Sequence, residues 1–202
     1  MQNLSSNTDC RYGIFGGTFD PVHNGHLIVA TTALEALGLD KLYVVPAYVQ
    51  PLKAGRSVAE FRIRLEWLQR SFCGNERIEV SAVESQFDSY SYTLLTVEHY
   101  SRLHDSKPFL LIGADSLKSF DRWYRYRQLL NSANLAVYPR NGIDISCELQ
   151  RLGISSGFSV LSEVPVVEIS SSVIRKRCSA GLSLNGFVPC VISDEVYQHY
   201  KK

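Results

Sequence analysis

The stretch Gly16-Gly17-Thr18-Phe19-Asp20-Pro21-Val22-His23-Asn24-Gly25-His26 follows an apolar strand pattern, Tyr12 to Phe15, and precedes a helical one, LIVATTALEALG. A strand, a glycine turn and a helix therefore meet here. Two glycines let the backbone approach a phosphate closely and direct amide groups at it, and the N-terminus of the following helix adds partial positive charge. The stretch predicts an anion site at the end of the first strand.

The rest of the chain alternates short β-branched and aromatic runs with segments of helical spacing. The predicted strands are YGIFGG, KLYVVPA, RIEVSAVE, PFLLIGAD, NLAVYPR and VPVVEIS, and predicted helices include AEFRIRLEWLQRSF and SYTLLTVEHYSRLH. Such alternation predicts an α/β fold of the doubly wound kind, with a largely parallel sheet and helices on both faces. Further helices are expected to open at Asp144, at Ser170 to Ser172 with an end near Gly181, and at Ser193.

Composition limits the classes of function. With 202 residues, 45% of them hydrophobic, the chain is expected to form one domain over residues 1–202. The net charge of +1 excludes the broad cationic field that nucleic-acid or membrane binding needs. The N-terminus shows no export signal, and the five cysteines are scattered without a Cys-x-x-Cys pair, so we expect a cytoplasmic protein with reduced, half-buried thiols and no protein metal site.

His23 and His26 are three residues apart at the start of the predicted helix, with only Gly25 and Asn24 between them. Both imidazoles can therefore face one phosphate group. Imidazoles that donate hydrogen bonds to a pentacoordinate phosphorus stabilise the charge of the transition state and require no serine or cysteine nucleophile. Neither Gly-x-Gly-x-x-Gly nor a P-loop is present, which excludes those two nucleotide-binding motifs.

GGTFDPVHNGH resembles the first signature of the HxGH nucleotidyltransferase superfamily, in the form found in nicotinate-nucleotide adenylyltransferases. Ile169-Ser170-Ser171-Ser172-Val173-Ile174-Arg175 resembles the second signature. The resemblance implies a Rossmann-like fold in which His23, His26 and Arg175 are catalytic. The residues that it implies for ATP are Gly16, Gly17, Thr18, Gly113, Asp115, Ser170, Ser171 and Ser172.

The resemblance also implies the acceptor site. Trp123 corresponds to the family's pyridine-stacking tryptophan, and the backbones of Tyr124 and Thr93 to its contacts with the nicotinate carboxylate. Lys53 is in register with a residue that pairs with the mononucleotide phosphate. Leu52, however, stands where members commonly carry histidine.

The reaction implied is attack of nicotinate mononucleotide on the α-phosphorus of ATP, with Mg²⁺ accompanying ATP, in NAD biosynthesis. Three alternatives remain: a different acceptor such as nicotinamide mononucleotide or phosphopantetheine, transfer of a cytidylyl group, and a nucleotide sensor without catalytic activity. The oligomeric state stays open. Several arginines lie close to the predicted site elements, and we interpret most of them as residues of solvated helix faces. They are Arg56, Arg62, Arg64, Arg122, Arg125 and Arg127.

Overall fold

The computed structural model describes residues 10–49, 58–87 and 90–201. Within them, six strands form one parallel sheet in the order β3-β2-β1-β4-β5-β6. The strands are β1 (Tyr12–Gly17), β2 (Lys41–Pro46), β3 (Ile78–Val80), β4 (Phe109–Gly113), β5 (Asn134–Tyr138) and β6 (Phe158–Val160). This order confirms the predicted doubly wound α/β class.

Helices cover both faces of the sheet. They are α1 (Asn24–Ala36), α2 (Phe61–Ser71), α3 (Thr93–His104), α4 (Ala114–Leu117), α5 (Tyr126–Ser132), α6 (Ile145–Arg151), α7 (Ser171–Ser179) and α8 (Cys190–Tyr200). One face packs α1, α2, α7 and α8 into a core around Leu34, Trp67 and Val196. The other packs α3 to α6 around Val97, Leu129 and Leu149. No helix in the described ranges combines the length and apolarity that crossing a bilayer requires.

Two predicted elements are wrong. VPVVEIS, residues 164–170, is irregular, and Phe158–Val160 forms the sixth strand instead. Pro165 lacks the amide proton that a ladder needs, and the segment after it leaves the sheet. The last helix begins at Cys190 after Pro189, not at Ser193, because the fixed φ of proline suits a helix start. Asp144 and Ser170 cap α6 and α7 as predicted.

One arginine departs from the general interpretation, and the expectation for the cysteines fails. Arg64 is 3% exposed and does not belong to a solvated helix face. Its guanidinium donates to the carbonyl oxygens of Ala59 at 2.8 Å, Thr18 at 2.6 Å and Ala47 at 2.9 Å, so it fastens α2 to the loops beside β1 and β2. Of the free cysteines only Cys178 is buried, and the other four are exposed rather than half-buried.

Candidate active site

Two clefts open where β1 and β4 end, and Thr18 lines both of them. Each has a volume of about 590 Å³. Because β1 and β4 are neighbours in the sheet while their helices lie on opposite faces, this is the topological switch point at which doubly wound sheets bind ligands. We call the cleft beside α1 and α7 the first cleft and the one beside α3 and the 120–124 turn the second cleft.

The predicted site residues divide between the two clefts. The first cleft gathers the predicted His23, His26, Arg175, Thr18, Asp115, Ser170, Ser171 and Ser172. The second gathers Thr93, Trp123 and Tyr124, together with Gly16, Gly17 and Gly113. These glycines, which were predicted for ATP, therefore line the cleft expected for the acceptor and not the first cleft. Lys53, and Leu52 beside it, lie outside the described residues.

The two histidine rings are stacked, with centroids 3.6 Å apart and an interplanar angle of 20°. A Cβ atom on Gly25 would come 3.1 Å from Nδ1 of His23, so a side chain there would press on the His23 ring that lies over the start of α1. The backbone N–H of His23 donates to Nδ1 of His26 at 3.2 Å. In the neutral ring of His26 the proton is therefore on Nε2, which is the nitrogen left to donate to a ligand.

Burial keeps both imidazoles neutral. It lowers the pKa of His23 to about 3, with a smaller contribution from the positive charge of Arg140. Burial lowers the pKa of His26 well below the usual value of 6.5, and His23 and Arg140 add to the effect. The pair can therefore donate hydrogen bonds to phosphate oxygens at neutral pH without carrying a charge of its own.

The start of α7 faces the histidine pair across the first cleft. Ser170 caps the helix by accepting from the backbone N–H of Val173 at 3.3 Å, and the hydroxyl of Ser171 donates to the carbonyl of Pro21 at 2.9 Å. Arg175 donates to the carbonyl oxygen of Asp20 at 2.5 Å and to Oγ of Ser172 at 3.2 Å. The two sequence signatures are thus bonded to each other, and together they present serines and a guanidinium to an anion.

Gly113 gives the side chain of Asp115 its space. A Cβ there would collide with the carboxylate of Asp115 and lie 3.2 Å from the ring of Tyr138, so glycine makes room for Asp115 itself. Asp115 does not cap the helix that follows β4, because Gly113 is the N-cap of α4 and Asp115 lies in its first turn. The carboxylate is exposed beside Arg140, with 3.9 Å between Oδ1 and Nε.

Aromatic rings wall the second cleft. Tyr92 and Tyr124 stack with centroids 4.3 Å apart and an angle of 23°, while Trp123 tilts against Phe120 at 5.0 Å. Thr93 begins α3 as its first residue, so its backbone N–H belongs to the orphan donors of a helix N-terminus. An aromatic wall with such donors suits a planar ring that carries an anionic group.

Glu84 in the second cleft was not predicted. It is 6% exposed and accepts from the hydroxyl of Thr96 at 2.8 Å and the backbone N–H of Tyr48 at 3.3 Å. Burial raises its pKa, although these donors and Arg64 oppose the shift. Oγ of Ser91 accepts from the N–H groups of Tyr48 and Val49 at 2.8 and 3.0 Å, so this network fixes the exit of β2 against α3.

Asp20 and Arg140 line the first cleft without having been predicted as site residues. Asp20 belongs to the first signature, but its sequence position does not show that it is only 5% exposed. This burial is what marks it as a site residue in the structure. Arg140 lies two residues after the end of β5 and donates to the carbonyl of Val167 at 3.2 Å. Its position at a strand's carboxyl end is the one signal that could have found it.

Similarity to known proteins places the chain among the nucleotidyltransferases. A family model described as cytidylyltransferase-like matches residues 14–177, a range that contains both signatures and both clefts. Two solved structures of a nicotinic acid mononucleotide adenylyltransferase from Plasmodium falciparum, complexed with NaAD and with APC, share the fold. Their TM-scores are 0.77 and 0.75 at 17% identity, over 94% of this chain and 95% of theirs.

Proteins with similar sequences identify the family within this class. A protein of Thermotoga maritima named a probable nicotinate-nucleotide adenylyltransferase is 44% identical over 98% of this chain and 97% of its own. One of the same name from Rhodopirellula baltica is 39% identical over 88% of this chain and 86% of its own. The chain belongs to the nicotinate-nucleotide adenylyltransferase family of nucleotidyltransferases.

The neutral histidines predict a loss of stability in acid. Because the folded pKa of each lies below the unfolded value of about 6.5, the unfolded chain takes up protons that the folded protein refuses as the pH falls below that value. Lowering the pH from 7 to 5 should reduce the free energy of unfolding by about 2 kcal/mol through His23, and His26 should add a loss of the same sign. Urea unfolding at the two values measures this, and His23→Gln should show a smaller pH dependence. An unchanged dependence in that variant would contradict the assignment.

Proposed function

We propose that this protein transfers AMP from ATP to nicotinate mononucleotide, giving nicotinate adenine dinucleotide and pyrophosphate in NAD biosynthesis. The observation that supports it best is the junction of the two clefts at Thr18, beside the stacked His23 and His26. A two-substrate transfer needs two binding spaces that meet at the reacting phosphorus. The names of the relatives support the choice of substrates.

ATP occupies the first cleft in this proposal. The serines at the start of α7 and Arg175 hold the outer phosphates, since a helix N-terminus with a guanidinium is a phosphate site. Asp115 accepts from the ribose hydroxyls, in keeping with its exposed position at the end of β4. Arg140, which lines the same cleft as Arg175, adds positive charge.

Nicotinate mononucleotide occupies the second cleft. Trp123 stacks on the electron-poor pyridine ring, and the backbone N–H groups of Thr93 and Tyr124 receive the carboxylate. Lys53 pairs with the 5′-phosphate, a role that stays a prediction because this residue lies outside the described ranges. The phosphate is thereby directed toward Thr18 and the first cleft.

The reaction is a direct displacement. An oxygen of the mononucleotide phosphate attacks the α-phosphorus of ATP and forms a new P–O bond, while the bond between the α-phosphorus and the β-bridging oxygen breaks and pyrophosphate leaves with its electron pair. His23 and His26 donate hydrogen bonds where charge grows on the α-phosphate, and Arg175 stabilises the leaving group. The attacking phosphate needs no base to deprotonate it, which fits two imidazoles whose lowered pKa makes them weak bases.

Mg²⁺ enters as part of the substrate, bound to ATP. The described residues contain no group of three or more histidine, cysteine, aspartate or glutamate side chains placed to hold a metal ion, and phosphate oxygens with water suffice for magnesium. When bound there, the ion neutralises charge on the phosphates and the departing pyrophosphate. The cytoplasmic location expected from the sequence likewise stays a prediction.

The choice of acceptor is tested by initial rates with ATP and either nicotinate or nicotinamide mononucleotide. We expect kcat/KM for the acid to exceed that for the amide at least about a hundredfold, because buried donors that lose a charged partner are left unpaired. The dinucleotide is measured by chromatography. A preference for the amide would contradict the proposed acceptor, and ATP binding without pyrophosphate release with any acceptor would favour the non-catalytic alternative.

The role of the histidine pair is tested with His26→Ala. Its donor acts on charge that appears in the transition state, so kcat should fall about a hundred- to a thousandfold while KM for the mononucleotide stays within a few-fold. His99→Ala, on α3, is the matched control because it removes an imidazole outside both clefts. Turnover in His26→Ala equal to that of the control would refute the role.

A further inference from the structure

The last residue of α8 contacts a residue of the first cleft. The hydroxyl of Tyr200 donates to Oδ1 of Asp20 at 2.5 Å, across 180 positions of the chain. Burial and the neighbouring carboxylate raise the pKa of Tyr200, so its hydroxyl keeps the proton that it donates. Asp20 lines the first cleft and is 5% exposed. The C-terminal helix therefore contacts a buried carboxylate of the active site by a charge-assisted hydrogen bond.

The two carboxylate oxygens of Asp20 have different partners. Oδ1 accepts from Tyr200 and from the backbone N–H of Ala59 at 2.9 Å. Oδ2 faces Nη1 of Arg175 at 3.4 Å, longer than the 2.5 Å from the same nitrogen to the carbonyl oxygen of Asp20. Arg175 is thus held mainly by a neutral carbonyl. Its charge is only loosely paired, and the guanidinium stays available to an anion in the cleft.

The hydroxyl of Tyr200, together with the backbone N–H of Ala59, keeps Oδ1 turned away from Arg175. Without the hydroxyl, Oδ1 retains a single donor, and the carboxylate can turn toward the guanidinium to form a closer ion pair. Such a pair competes with phosphate oxygens for the same donors. The ring of Tyr200 is held separately, against Trp67 at 6.1 Å and His199 at 4.6 Å between centroids, so removing the hydroxyl leaves the packing of α8 in place.

The same C-terminal segment contacts the site at a second place. The backbone N–H of Asn24 donates to the carbonyl of Phe187 at 2.9 Å, and the side chain of Asn24 donates to the carbonyl of Gly186 at 2.9 Å. Asn24 is the first residue of α1 and follows His23 directly. Residues 186–200 therefore contact the first signature directly, at Asn24 and at Asp20. They influence the second signature through Asp20, which faces Arg175.

We propose that Tyr200 is a positioning residue for ATP binding: its hydroxyl orients the Asp20 carboxylate so that Arg175 remains free to bind the phosphates of ATP. The inference rests on the proposed placing of ATP in the first cleft.

The test is Tyr200→Phe, with the dissociation constant of Mg²⁺-ATP measured by titration calorimetry, which does not depend on turnover or on the acceptor. We expect binding to weaken about tenfold, the effect of losing one charge-assisted hydrogen bond. Thermal unfolding checks that the variant is folded. Tyr197→Phe, which removes a hydroxyl from the same helix, should bind ATP as the unsubstituted protein does.

A double-mutant cycle separates positioning from general damage. In Asp20→Asn the carboxylate that Tyr200 orients is gone, so adding Tyr200→Phe should change ATP affinity less than twofold. A tenfold loss in both backgrounds, or an equal affinity of Tyr200→Phe and the unsubstituted protein, would overturn the inference alone. Absence of ATP binding by the unsubstituted protein would overturn the proposed function and the inference with it.

Discussion

The carboxylate of Asp20 joins the parts of the molecule on which its chemistry depends. It accepts from Ala59, which leads into α2, and from Tyr200 at the end of α8, and it faces Arg175 of α7. A carboxylate that is 5% exposed is tolerated only when donors compensate for the water that it has lost. Each of these donors comes from a different element, so the requirement to satisfy one buried charge brings these elements together at the mouth of the first cleft.

The sheet order decides where this junction lies. Because β1 and β4 are adjacent and their connections leave to opposite faces, a gap opens above their carboxyl ends, and both clefts occupy it. Arg64 stabilises the same region, because its Nε, Nη1 and Nη2 atoms donate to the carbonyl oxygens of Ala59, Thr18 and Ala47. A rigid junction is what in-line transfer requires, since small displacements of the reacting groups slow such reactions greatly. Burial then makes His23 and His26 neutral donors in place of cations.

Local patterns predicted the parts of the structure that local physics determines. Strand and helix periodicity was sufficient for the α/β class, and the spacing of His23, Gly25 and His26 indicated the paired imidazoles, because neighbours on one helical turn meet whatever the rest of the fold does. Long-range contacts were not accessible in this way. Nothing in the sequence joins Tyr200 to Asp20 or marks Glu84 as a buried acceptor, and Arg64 has the spacing of an ordinary surface residue. VPVVEIS has the composition of a strand, but Pro165 cannot donate to a strand ladder, and the residues after it line the first cleft instead.

The central claim is that the two substrates meet at Thr18 and react directly, without a covalent enzyme intermediate. The stereochemical course at the α-phosphorus tests it most directly. With nicotinate mononucleotide and one diastereomer of adenosine 5′-O-(1-thiotriphosphate), the configuration at phosphorus in the dinucleotide product can be determined by ³¹P NMR. A single in-line displacement predicts inversion. Retention would contradict the account, because it requires two displacements and therefore a nucleophile on the protein.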